Sequence, residues 1–396
     1  MLGAQPIILS DVHVALRAIQ GGPPPADNSA VSTATDHPVT FNNSATVTIP
    51  AGQDMESDPI TWTLPPNSDV TVSFYVQSGQ LASSSSTGDM PANSAYIVAG
   101  DQSAVPSFST LPVLPAFANN PLTQVYLLED VEVLAPSSTR NIVAIGDSIT
   151  YGVDASNPIT NSYPSILYSL INASSNAYAS VINAGIGSNE LTTAQGGYQP
   201  TVQVRFQHDV LDHPGVTDVI VLIGTNDLER GTGNAVPTVI SANIIAGYQS
   251  LIQMARAQNP NIKIHGGTIT PFGSYTGIDS GGVLPWASDA ARLAVNSWIM
   301  TKAASQGGFD DVVDFSGAVA GTPPAPAAGA SATAAAPLAL ASSAATASAP
   351  AILCSGPDGL HPADQGYKAM GTLAYDVLYK LTVQPAAPCN NVLLAP

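Results

Sequence analysis

Positive charge is scarce in this chain of 396 residues: ten lysines and arginines stand against 28 acidic residues, for a formal charge of -18. With no basic cluster there is nothing to neutralise phosphates, which makes nucleic acid and anionic membrane poor partners. Charged residues of both signs reach only 10%, whereas apolar residues make up 45%, the balance of a chain that buries a core. No apolar run approaches the roughly eighteen residues that a membrane-crossing helix needs. The chain has two cysteines, Cys354 and Cys389. They could pair or stay apart, because sequence does not fix the distance between their Cα atoms. Few lysines and much Ser, Thr, Ala and Gly point to an extracellular or periplasmic protein, yet residues 1–6 show neither the basic start nor the apolar run of a signal peptide.

Glycine and proline are plentiful instead, 33 of each, so turns are frequent. Residues 1–135 read as all-β: HPVTFNNSATVTIP, ITWTL, DVTVSFYVQ, SAYIVAGD and QVYLLEDVEVLA carry β-branched and aromatic residues between turn formers. That spacing predicts a β-sandwich domain. Asp36, His37 and Asp54 read as turn and surface residues, and Pro136, Ser137 and Ser138 as a hinge.

From 136 to 396 the pattern changes to strands alternating with helices, which predicts a three-layer α/β/α sandwich around a five-stranded parallel sheet. Strands are expected at 142–145, 179–186, 218–223 and 262–268, with a weaker one at 312–315. Helices are expected at 163–171, 200–211, 236–257, 287–304 and 363–381. Residues 317–351, almost wholly Ala, Ser, Pro, Thr and Gly, read as a flexible insertion that interrupts this domain.

Four blocks carry chemistry. NIVAIGDSITY ends an apolar strand on Gly146, Asp147 and Ser148, placing a hydroxyl at the carboxyl edge of the sheet. VINAGIGSN closes the second strand in a Gly-rich turn whose backbone amides can face a developing negative charge. VIVLIGTND closes the third and delivers Asn226, a neutral side-chain donor. DGLHP places Asp358 three residues ahead of His361, before the last expected helix. A serine hydrolase needs a nucleophile, a base, an acid to orient the base and oxyanion donors, and the blocks supply all four. Each block alone is more often a turn or a helix cap. Together, in this order and at these strand ends, they are hard to obtain by chance.

Over roughly residues 141–381 the blocks resemble the SGNH hydrolase family, also called GDSL esterases and lipases. The resemblance implies a flavodoxin-like fold and a carboxylic ester hydrolase that needs no cofactor. It makes Ser148 the nucleophile, His361 the base and Asp358 its orienting acid. The oxyanion hole would use the Ser148 amide, a backbone amide of the second block and the Asn226 side chain. Family members commonly read N-x-G-x-x-G-N in that block, whereas here the second glycine position falls on Ser188 with Gly187 just before it. Either amide, Gly187 or Ser188, remains a candidate. The β-rich start also resembles the accessory domain of some secreted members, joined partway in, so that one or more strands would be missing before Met1 or be supplied by another part of the chain.

The expected substrate is a carboxylic ester with a short acyl chain, in an acetylated polysaccharide or an aryl or lipid ester. The alternative is a carbohydrate-binding or adhesive protein with an inactive hydrolase-like domain. His208 and His213, five residues apart, do not share a helix face, so no metal site is expected there. His13, His37 and His265 show no partner pattern. No G-x-S-x-G elbow or phosphate-binding loop ending in Lys-Ser or Lys-Thr is present.

Overall fold

The structure, a computed structural model, describes residues 5–20, 29–78, 96–108, 127–173, 179–193, 200–230, 236–272, 286–302, 306–319 and 358–381. Two compact units divide the chain, Met1–Pro136 and Ser137–Pro396. Cys354, Cys389 and nearly all of the Ala- and Pro-rich segment lie outside the described residues.

The first unit is built on β1 (Ile7–Leu16), which pairs antiparallel with β2 (His37–Val39), β3 (Thr46–Ile49) and β4 (Val70–Ser78). Because β2 and β3 pair with different halves of β1 while β4 pairs with both, β2 and β3 share one edge and β4 takes the other. This is one four-stranded sheet, and no second sheet occurs among the described residues of this unit.

Sequence periodicity missed β1. Its inward residues are Ile7 and Leu9, then Val12 and Val14, and the parity changes where Asp11 adopts φ 50° and the pairing with β4 shifts between Ser10 and His13. A bulge of this kind breaks the alternation that marks a strand. Conversely, residues 60–64, 96–101 and 127–135 form none of the strands expected there. Pro59 and Pro65 flank the first of these and cannot donate to a ladder, and the Trp62 amide turns back onto the Ile60 carbonyl at 2.9 Å. Ile60, Trp62 and Leu127 pack instead against the apolar face of the sheet. His13, expected to lack a partner, lies 3.0 Å from Asp36.

In the second unit β5 (Arg140–Gly146), β6 (Ala179–Gly185), β7 (Asp218–Leu222), β8 (Lys263–Gly267) and β9 (Asp311–Val313) form a parallel sheet in the order β6-β5-β7-β8-β9. The helices are α1 (Ser148–Tyr151), α2 (Pro158–Asn161), α3 (Tyr163–Ala173), α4 (Val202–Phe206), α5 (Thr225–Arg230), α6 (Pro237–Gln258), α7 (Trp286–Thr301), α8 (Phe315–Val319) and α9 (Asp364–Leu378).

Alternate strand residues face opposite layers. Val143, Ile145, Val219, Val221 and Ile264 pack with Ile244, Tyr248 and Leu251 of α6 and Val295 and Ile299 of α7. Ile142, Ala144, Ile220 and Leu222 pack with Tyr163, Leu167 and Ile171 of α3 and Tyr367, Met370 and Ala374 of α9. Both faces are therefore dry, and a fully buried Leu or Ile contributes about 1.5–3 kcal/mol of transfer free energy. This is why the central strands β5 and β7 read as apolar runs, Ile142–Ile145 and Val219–Leu222.

Two expected elements differ at their ends. Strand β9 stops at Val313 because Asp314 caps α8, accepting from the Gly317 amide at 3.1 Å. Helix α8 in turn takes Gly317 to Val319 out of the expected insertion, with Ala318 and Val319 buried. The remaining surprise is His265. Its Nε2 lies 2.9 Å from Asp218, which also receives the Arg140 fork. Burial pushes the Asp218 carboxyl up, but His265 and Arg140 outweigh it and hold the group well below the usual carboxylate range.

Strand order places the first strand of the sheet between the second and the third, the arrangement whose carboxyl edge forms a ligand crevice. Gly146 pairs in register with Gly185 on one side and Leu222 on the other, so β5, β6 and β7 end level. The segments leaving those three ends carry three of the four blocks.

Candidate active site

Helix α1 begins on Ser148. Asp147 caps it, its carboxylate accepting from the Ile149 amide at 3.0 Å, and Gly152 closes it with φ 105°. The short helix lies directly over the strand ends: a Cβ on Gly146 would stand 2.1 Å from Thr150 Oγ1, and one on Gly185 2.2 Å from the Tyr151 nitrogen. The glycine before the Asp-Ser pair is thus fixed by close approach.

His361 Nε2 lies 2.7 Å from Ser148 Oγ, and His361 Nδ1 lies 2.5 Å from Asp358 Oδ2. A carboxylate only accepts, so Nδ1 carries the proton and Nε2 is left as the acceptor for the serine hydroxyl. Asp358 is held by its own turn: Oδ1 accepts from the Leu360 amide at 2.8 Å and the His361 amide at 2.9 Å. Burial raises its pKa, but these amides and His361 prevail and the group stays below its ordinary value.

The second block forms a four-residue turn, closed by the Asn189 amide on the Ile186 carbonyl at 3.2 Å. Ser188 occupies its third position with φ 60°, the left-handed conformation that a type II turn requires and that glycine favours. That explains why a glycine is usual where this chain has Ser188. Neither the Gly187 nor the Ser188 amide has an acceptor among the described residues. Asn226, at the start of α5, is buried and donates through Nδ2 to the Asn189 carbonyl at 2.9 Å, which leaves its second amide hydrogen available.

Sequence reasoning missed four residues here. Asp227 accepts from the Leu191 amide at 2.9 Å, and burial, reinforced by Glu190, pushes its carboxyl up to about 6. Asp147 is fully buried, which pushes it up to about 7, and its Oδ2 has no hydrogen-bond partner among the described residues. Asp154, with φ 65°, brings a carboxylate oxygen within 4.8 Å of Asp358 and His361, and burial and then Asp358 raise its pKa. Arg205 is buried beside the second block. Its only sequence signal was an arginine between Val202 and Phe206, on the stripe that α4 buries.

A parallel sheet with a Ser-His-Asp array at its carboxyl edge is the frame of a hydrolase. The chain belongs to the GDSL-like lipase/acylhydrolase family, whose model matches residues 144–369, and it is a carboxylic ester hydrolase. Among solved structures it is similar to a putative arylesterase from Agrobacterium tumefaciens str. C58, at 18% identity and TM-score 0.42, over 61% of this chain and 100% of that one. It is also similar to a carbohydrate acetylesterase from Sinorhizobium meliloti, at 13% identity and TM-score 0.40, over 61% and 100% of the two chains. A lipase/acylhydrolase from Enterococcus faecalis matches at 18% identity and TM-score 0.39, over 62% and 98%. No curated protein matches the chain.

Proposed function

We propose that the protein cleaves short-chain carboxylic esters, acetyl esters first among them, through an acyl-enzyme on Ser148. The observation that carries this reading is the continuous hydrogen-bonded line from Ser148 Oγ through His361 to Asp358, with steps of 2.7 and 2.5 Å. Ser148 Oγ attacks the acyl carbon while its proton passes to His361 Nε2. Asp358 holds the ring and stabilises the imidazolium that forms. The carbonyl oxygen of the ester becomes an oxyanion, met by the Ser148 amide, a turn amide from Gly187 or Ser188, and Asn226. Collapse expels the alcohol, which takes the proton from His361. Water then attacks the acyl-serine with His361 again accepting a proton, releasing the acid and restoring Ser148.

Acetylated polysaccharides and aryl or lipid esters remain the candidate natural sources. Hydrolysis of p-nitrophenyl acetate, followed by longer acyl chains and acetylated glycans, tests the reading. Ser148→Ala should lower turnover by roughly three or more orders of magnitude in a folded protein. Turnover within tenfold of wild type would refute the nucleophile.

A further inference from the structure

Arg205 is 3% exposed, yet each nitrogen of its guanidinium donates. Nη2 donates to the Gly146 carbonyl at 2.8 Å, Nη1 to the Ala184 carbonyl at 2.9 Å and to Asp209 at 2.6 Å, and Nε to Asn189 Oδ1 at 3.0 Å. A buried guanidinium is tolerated only when paired and hydrogen-bonded, and Asp209, from the π-helical turn that continues α4, supplies the charge.

The other three acceptors lie at the ends of β5 and β6 and in the turn beyond β6. Gly146 is the residue before the Asp147-Ser148 pair, and its carbonyl also accepts from the Ile186 amide at 3.1 Å. Asn189 is a node: its amide closes the turn on Ile186, its carbonyl receives Asn226, its Nδ2 donates to the Pro200 carbonyl at 2.8 Å and its Oδ1 receives Arg205. One planar fork therefore ties the strand that delivers Ser148 to the turn that carries Gly187 and Ser188 and, through Asn189, to Asn226. An ammonium offers no such fixed plane of donors.

We infer that Arg205 is a positioning residue for the oxyanion hole, setting the spacing between the Ser148 segment, the turn amides and the Asn226 side chain. The inference rests on the oxyanion reading given above. Its signature is selectivity for oxygen at the reacting carbonyl. A thionoester develops its charge on a larger sulfur that binds N–H donors weakly, so the ratio of oxygen-ester to thionoester turnover reports on the hole itself.

The experiment measures kcat, KM and that ratio for p-nitrophenyl acetate and p-nitrophenyl thionoacetate, with melting to check the fold, in Arg205→Gln, Arg205→Lys and Asn189→Ala. Arg205→Gln should lose roughly ten- to a thousandfold in kcat with KM within about threefold, and its oxygen preference should fall toward that of Asn226→Ala. Arg205→Lys should lie between Gln and wild type. Asn189→Ala removes the link from Arg205 to the turn together with the Nδ2 bond to the Pro200 carbonyl, leaves the guanidinium paired with Asp209, and decides the matter if Arg205→Gln does not fold. It too should lose oxygen preference. A folded Arg205→Gln or Asn189→Ala with wild-type oxygen preference overturns the inference, even if kcat falls. An active wild type in which Asn226→Ala leaves the ratio unchanged overturns the oxyanion reading instead.

Discussion

The side chain of Asn226 donates to the backbone carbonyl of Asn189 at 2.9 Å, so the end of one strand is fastened to the turn that follows another through a single amide group. Asn226→Ala removes both the proposed oxyanion donor and this fastening. Turnover should fall roughly a hundred- to a thousandfold with KM little changed. The orphaned carbonyl should cost about 1–3 kcal/mol, visible as a lower melting temperature. A variant that melts lower and turns over normally would separate the two roles and remove Asn226 from the chemistry.

The positive φ of Ser188 makes the two candidate amides testable. Ser188→Gly relieves a left-handed position, worth about 1–2 kcal/mol, but frees the unfolded chain, costing about 0.5–1 kcal/mol, so stability should rise slightly, with turnover changed less than about tenfold. Proline cannot take φ 60°, so it breaks the turn at Ser188 and tests nothing. At Gly187, the second position of the turn, proline is compatible and deletes only that amide. Near-normal turnover of Gly187→Pro assigns the donor to Ser188, and a folded but silent variant assigns it to Gly187.

Burial holds Asp147 up at about 7 and Asp227 at about 6, both above their unfolded values. A raised carboxyl contributes stability that is complete below the unfolded pKa, near 4, and is lost as pH rises through the folded one. Melting temperature should therefore decline between pH 5 and pH 8. Asp147→Asn keeps an acceptor for the Ile149 amide but no longer ionises, so its decline should be shallower, with a gain at pH 8 on the order of a few kcal/mol. Parallel melting curves for wild type and variant across this range would show that Asp147 is not the source.

Asp358 behaves in the opposite sense. Its lowered pKa contributes stability above the unfolded value that is lost as pH falls through the folded one. Asp358→Asn should let His361 settle with its proton on Nε2, the wrong nitrogen, and lower kcat roughly a thousand- to ten-thousandfold at neutral pH. A folded Asp358→Asn within tenfold of wild type would mean that the ring is oriented by something else.

Much of the second unit was legible because its central strands are dry on both faces, and an unbroken run such as 142–145 or 219–222 has few other uses in a folded chain. Ser148, Asp358, His361 and Asn226 were legible because each sits where a strand ends or a helix begins, on a short local signature. What sequence hid is non-local. The bulge at Asp11 disguised the central strand of the first unit. The partners of His13 and His265 come from 23 and 47 residues away. The bonds of Arg205 run to backbone carbonyls 21 and 59 residues distant, and a carbonyl has no letter in the sequence.

Ser148 and His361 stand 213 positions apart, one on the first strand of the sheet and the other just ahead of the helix that covers it. Because a chain is made from its N-terminus, the residues of all five strands and of α1 exist before His361 is made. Under the proposed roles, the serine is therefore made long before the base that would activate it, and it gains that base only when DGLHP joins the edge of the sheet.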